Sequence, residues 1–491
     1  MPTGQLITLS LYFVLMLGIG LYAWRKSTDS SEGYLLGGRQ LSPAVAALSA
    51  GASDMSGWLL LGLPGALYAA GLVEAWIGIG LFAGALVNWI VVAPRLREQT
   101  ERLGNALTIP EYLANRFPDA ALALRVVSAL IIVIFFAVYT ASGLVAGGKL
   151  FDTSFAGLFG DVSGMSDYML GIWLTAGVVL AYTMVGGFLA VSLTDFVQGC
   201  IMVVALVLMP LVVMFGPGGS AGESLTQVQP GFLDIGFNLT TIGFLSAVAW
   251  GLGYFGQPHI IVRFMAIRSV KEVPAARNIG MAWMFVCLLG AIGVGLAGRA
   301  YAVRNGIAVE DPETIFIVLA ELLFHPLITG FLLAALLAAV MSTISSQLLV
   351  SSSSLTEDFY KLFLRKQASE RESVTVGRIS VLLVALVAIW IASDPESEVL
   401  GLVSNAWAGF GAAFGPLILL SLTWGRMTGA GAVAGLVTGA GVVIAWIVLG
   451  WNSAFLGGDG VYEIIPGFLA AFIAILAVSA ITQKQEAADA S

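Results

Sequence analysis

Hydrophobic residues run along this chain in long unbroken blocks, without the period-two alternation that barrel strands require. Thirteen blocks are close to or beyond the roughly 20 apolar residues that carry a helix across a bilayer. They are 6–24, 43–70, 75–94, 122–149, 166–186, 189–216, 238–258, 276–300, 325–358, 375–393, 399–424, 428–450 and 462–482. The first has no basic stretch ahead of it and exceeds a signal-peptide core, so it predicts a retained helix. The polar connections are short. The one over 301–324 predicts a loop with an amphipathic helix, and recognition must sit in the membrane or in such loops.

Two blocks are interrupted. The second carries "LSAGASDMSGWLLLGLPG" at 48–65, and the seventh carries "AWGLGYFGQPH" at 249–259. Glycine weakens a helix and proline removes a backbone donor. Carbonyls freed at membrane depth are tolerated only in a protein-lined cavity. The interruptions lie five blocks apart, so one span starts inside and the other outside. That is the arithmetic of an inverted five-plus-five repeat, in which paired breaks point to a central binding site. It divides the chain into 1–42, a first repeat at 43–237, a second at 238–425, and two final helices at 426–491. Glycine also serves close helix packing; the matching positions are what favour a site.

Composition agrees: 58% of the 491 residues are hydrophobic and 11% charged, against about 45–50% and about 25% in soluble domains. With the N-terminus outside and the C-terminus inside, every one of the 22 Lys and Arg residues except Lys149, Arg299 and Arg304 falls on the inner side, as the positive-inside rule asks. The net charge of −8 does not mark a nucleic-acid binder. Cys200 and Cys287 fall inside apolar blocks and predict buried thiols.

Asp54 is the carboxylate expected deep in a span; Glu74, Asp195 and Glu321 are expected near span ends or in loops. An intramembrane acid is costly and is a functional hypothesis by default. No Lys or Arg is expected at its depth, so a mobile cation is its natural partner. The ninth block carries "AAVMSTISSQLLVSSSS" at 338–354. Its Ser342, Thr343, Ser345 and Ser346 hydroxyls can bond back to their own helix, or join unwound carbonyls as ligands for a hard cation. Trp58, Tyr139, Trp250, Tyr254 and Phe255 cluster at or opposite the breaks, as core packing or as walls of a small-solute pocket. Arg39 is an orientation charge or an inner-gate residue. His259 and His325 are expected near span ends, which does not favour a histidine proton relay. No nucleotide-binding, hydrolase or zinc motif occurs, so the chain is not expected to be an enzyme.

Together with "GGFLAVSLTDFVQ" at 186–198 and "AWAGFGAAFGPLILLSLTWGRMT" at 406–428, these segments resemble the sodium/solute symporter family, within it the proline branch, over nearly the whole chain. The resemblance implies an all-α membrane protein of about thirteen helices with a leucine-transporter-type inverted repeat. It also implies a secondary transporter of the bacterial cytoplasmic membrane, importing L-proline with Na⁺. It implies a sodium site of Ala52, Met55 and Ala339 backbone oxygens with the Ser342 and Thr343 hydroxyls, and a coupling role for Asp54. For the solute it implies Ser56, Gly57, Trp58, Tyr139, Trp250, Tyr254 and Pro258. The residues alone leave open another solute, H⁺ in place of Na⁺, or a channel.

Overall fold

A computed structural model describes residues 3–27, 31–157, 164–215, 221–228 and 230–489. Residue 216 of the sixth block, residues 1–2 and 28–30 of the N-terminal segment, 490–491 of the last segment, and the side chains of Lys26 and Lys484 lie outside the described residues.

Among the described residues, ten helices are long and apolar enough to cross a membrane, or eleven if the bent pair Pro43–Asp54 and Trp58–Ala70 counts as one more. The expected thirteen is reached only by two further steps. The 49-residue helix Asp167–Phe215 must be divided at Gly187, whose φ of 59° and ψ of −153° lie outside the helical region. The shorter helices Thr241–Ala249 and Pro258–Ala266 must be joined as one interrupted span. The 301–324 connection carries the helix Ile315–Leu323.

Burial sorts the helices into centre and rim. The most apolar window of Val399–Thr423 is 89% buried and that of Pro326–Leu364 83%, while that of Thr3–Arg25 is only 28%. On rim helices large apolar side chains face outward: Phe215, Trp390 and Val448 are about four-fifths exposed. An apolar surface so extensive needs lipid against it. The helices that carry the hydroxyl run and the Trp407 motif are thus the middle of the molecule.

Both predicted breaks are present. The first helix starts on a Ser42 cap with Pro43 at its first position and runs to Asp54. Met55 then leaves the helical region at φ −81° and ψ 75°, and the chain resumes in wide turns at Trp58–Gly62, bent by 63°. Close packing fixes one glycine here: a Cβ on Gly57 would stand 2.9 Å from Ala146 Cβ. In the second break, Trp250–Gly256 tightens into three-residue turns, Gln257 is extended, and Pro258 starts a new helix. Gly253 is required more strictly, since a Cβ there would meet Trp407 Nε1 at 1.9 Å. Part of the glycine signal is therefore packing, as the alternative reading holds, and part of it marks real interruptions.

Candidate functional site

The C-terminal end of Pro43–Asp54 points into the centre of the molecule, and a helix end of this polarity favours positive charge. Its carbonyls find partners from other elements. Ser342 Oγ, on Pro326–Ser353, donates to Ala52 O at 2.7 Å and stands 3.0 Å from Ala339 O. Thr343 Oγ1 lies 3.2 Å from the same Ala339 O. Four of the five oxygens expected for a hard cation are therefore gathered, all from residues at most 1% exposed. Met55 sits at the turn, its N–H on Gly51 O. All four gathered atoms are carbonyl or hydroxyl oxygens, so this cluster is neutral and suited to a hard cation of low charge.

Asp54 does not share that cluster. Its Oδ2 accepts the hydroxyl hydrogen of Tyr254, from the second break, and its Oδ1 is buried without a partner. The Asp54 main-chain carbonyl accepts from Ser56 N at 2.9 Å, Trp58 Nε1 at 3.2 Å and Tyr139 OH at 3.4 Å. Asp54, Ser56, Trp58, Tyr139 and Tyr254 thus form a second group, joining both breaks to the helix Ala121–Ser154. Gly57 packs on Ala146 and Val340 at its edge.

Two expected solute residues stand apart. Trp250 faces a vestibule of about 640 Å³, lined also by Glu74, Ser404, Tyr462 and Glu463, and its ring stacks on Tyr462 at 5.2 Å and 28°. Burial holds the Glu463 carboxyl above its ordinary value. Pro258 faces the other way, onto a small cavity lined by Thr108, Phe188 and Val350. The break separates them because the rest of the tightened turn Trp250–Gly256 and the extended Gln257 lie between.

Opposite the vestibule the molecule is sealed. Arg39, 5% exposed, donates to Met265 O at 2.8 Å and Ala106 O at 2.6 Å. Leu41 N donates to Ala266 O and Arg268 N to Leu41 O, each at 3.2 Å, a short parallel bridge between the ends of the two interrupted spans. Thr108 Oγ1 donates to Asp358 Oδ2 at 3.0 Å. Arg39 is a structural tie across the sealed side and more than a surface orientation charge.

Four expectations are corrected. Cys287 is buried but Cys200 is exposed, because an apolar span at the rim leaves its outward face uncovered by protein. Asp195 is neither near a surface nor in a loop: it is fully buried and paired with Arg263 at 3.1 Å. Ser49 donates to Asp195 Oδ2 at 2.7 Å, and Arg263 reaches Ser49, Ser346 and His259 O. A buried Arg therefore does lie among the spans; the helix Pro258–Ala266 is too short and too fully packed for Arg263 to reach water. His259 is fully buried, because the break draws the following turn into the core. Trp407 was missed as a site neighbour. Its Nε1 donates to Trp250 O at 2.7 Å and its ring meets Tyr254 edge-on at 5.0 Å. A lone tryptophan in an apolar block reads as packing, and only the glycine beside it in space, Gly253, hints otherwise.

Residues 34–439 match the sodium:solute symporter family. The chain is 53% identical over 481 residues to the osmoregulated proline transporter OpuE of Bacillus subtilis, covering 98% of this chain and 95% of that one. It is 54% identical over 471 residues to the high-affinity proline transporter PutP of the same organism, covering 95% and 96%. It is 51% identical over 489 residues to a Staphylococcus aureus sodium/proline symporter, covering 97% and 93%. Among solved structures, a Na⁺-coupled sialic acid symporter in an outward-open state superposes with a TM-score of 0.79 at 19% identity, covering 97% and 98%. The nucleobase-cation symporter Mhp1 in a closed state gives 0.57 at 15%, covering 93% and 96%. The fold is thus the leucine-transporter type that the family resemblance implies.

Proposed function

The chain belongs to the sodium:solute symporter family, and from that premise we propose that it imports L-proline together with Na⁺ by alternating access. Relatives named as proline transporters or sodium/proline symporters, similar along nearly their full lengths, support the solute and the ion. It is a transporter and not an enzyme. The charge asymmetry supports a bacterial cytoplasmic membrane setting with the N-terminus outside and the C-terminus inside. In that orientation the vestibule opens outward and the sealed face is cytoplasmic. The repeats are 43–237 and 238–425, flanked by 1–42 and 426–491, and the matching positions of the two breaks support that division.

The observation that carries the reading is Ser342 Oγ lying within 3.0 Å of both Ala52 O and Ala339 O. Na⁺ would be held by the Ala52, Met55 and Ala339 carbonyls with the Ser342 and Thr343 hydroxyls. It would thereby tie the first break to the central helix Pro326–Ser353. Asp54, two residues beyond Ala52 and bonded to Tyr254, links that tie to the second break. L-proline would lie among Ser56, Gly57, Trp58, Tyr139 and Tyr254, with Trp250 above and Pro258 below. Its ring suits the aromatic faces. Its carboxylate suits the N-terminal end of Pro258–Ala266, and its ammonium the carbonyls freed at the first break. Coupling then requires Na⁺ to favour the solute-competent arrangement and the solute to raise Na⁺ affinity in return. Arg39 would act in the inner gate.

The test is uptake of radiolabelled L-proline into proteoliposomes under an inward Na⁺ gradient, beside a K⁺ control. Accumulation that follows the Na⁺ gradient supports the proposal. Correctly folded protein that accumulates no L-proline under that gradient removes the solute assignment.

A further inference from the structure

His259 follows Pro258 directly and is completely buried, yet neither ring nitrogen has a hydrogen-bond partner. A neutral imidazole carries one N–H donor and one acceptor, and an unmade hydrogen bond in a buried place costs free energy. The side chain therefore calls for a partner that comes and goes.

Its surroundings say what kind. The ring is edge-on to Phe136, at 5.4 Å and 73°, and to Tyr139, at 5.7 Å and 86°. The Tyr139 hydroxyl in turn reaches the Asp54 carbonyl. The imidazole thus borders the group of residues assigned above to the solute. It is also the second residue of Pro258–Ala266, where the helix presents its positive end. The main chain has little left to offer there: Pro258 has no N–H, and those of Ile260 and Ile261 both go to Gln257 O at 3.1 Å. The mount is fixed, since Arg263 donates to His259 O at 2.6 Å and is itself held by Asp195.

We infer that His259 is a solute-binding residue whose ring N–H donates to the carboxylate of the transported amino acid and selects for that group. The inference rests on the solute site proposed above.

The test uses the full chain in proteoliposomes, comparing L-proline uptake with its competition by L-prolinamide, which lacks the carboxylate. His259→Phe should raise the L-proline concentration for half-maximal uptake about tenfold or more, as expected for a hydrogen bond to a charged group. The inhibition constant of L-prolinamide and the Na⁺ half-saturation should stay within about twofold. His259→Gln, which keeps an N–H donor, should recover part of the loss. Equal weakening of L-proline and L-prolinamide, or no change in either, overturns the inference. Tyr139→Phe and Trp58→Phe are measured alongside. If they weaken L-proline and His259→Phe does not, His259 alone is wrongly assigned; if none of the three does, the solute site itself is misplaced and the inference falls with it.

Discussion

Tyr254 donates its hydroxyl hydrogen to Asp54 Oδ2, so the carboxylate of the first break is held by the second break and not by the hydroxyls of the central helix. Tyr254→Phe strands a buried carboxylate oxygen, a loss of about 1–3 kcal/mol. Half-maximal L-proline uptake should shift roughly tenfold or more upward. Asp54→Asn should abolish the Na⁺ dependence of uptake, and unaltered Na⁺ dependence in that variant would rule out its coupling role.

Ser342 and Thr343 make separable contributions. Ser342 touches both Ala52 O and Ala339 O, whereas Thr343 Oγ1 is near Ala339 O alone. Ser342→Ala should therefore raise the Na⁺ concentration for half-maximal uptake more than Thr343→Ala does. Titrating uptake with Na⁺ at saturating L-proline ranks the two, and the reverse order would contradict the bridging role of Ser342.

The Asp195–Arg263 pair is buried on both sides. Removing one partner of such a pair costs about 3–5 kcal/mol, because the other charge is left uncompensated. Arg263→Met should lower the unfolding temperature in detergent markedly, and Arg263→Met with Asp195→Asn should lower it less. Additive losses would show that the two groups do not stabilise one another.

Glycine substitutions separate packing from tolerance. Gly253→Ala places a methyl group against Trp407 Nε1, which is itself bonded to Trp250 O, and should reduce the folded yield. Gly177→Ala meets nothing within 4 Å and should leave yield unchanged. Size-exclusion profiles of the two decide this.

Burial raises the Glu463 carboxyl, so the folded chain holds that proton to higher pH than the unfolded chain does. Stability from this group is then present below the unfolded value and declines as pH rises through the folded one. Glu463→Gln should flatten that part of the thermal-melt profile between the two. An unchanged slope would exclude a contribution from Glu463.

The breaks were legible because glycine and proline act through the local backbone, and the sequence shows local features directly. The Ser342–Thr343 run was legible for the same reason: neutral hydroxyls inside an apolar block stand out. Arg263 and Asp195 were not, since each lies near a span end in sequence and only the three-dimensional fold draws them together. Trp407 and His259 were hidden differently. One looks like any core aromatic, and the other acquires meaning only from having no partner.

The backbone bridge between Leu41 and Ile267 joins the ends of both interrupted spans on the sealed side. Its hydrogen bonds come from main-chain groups that every non-proline residue carries, so side chains at 41 and 267 can drift without loosening it. What evolution can tune there is shape: a bulge, a proline or a shift in the loop would change how readily cargo leaves, while ordinary substitutions would leave the leak rate untouched.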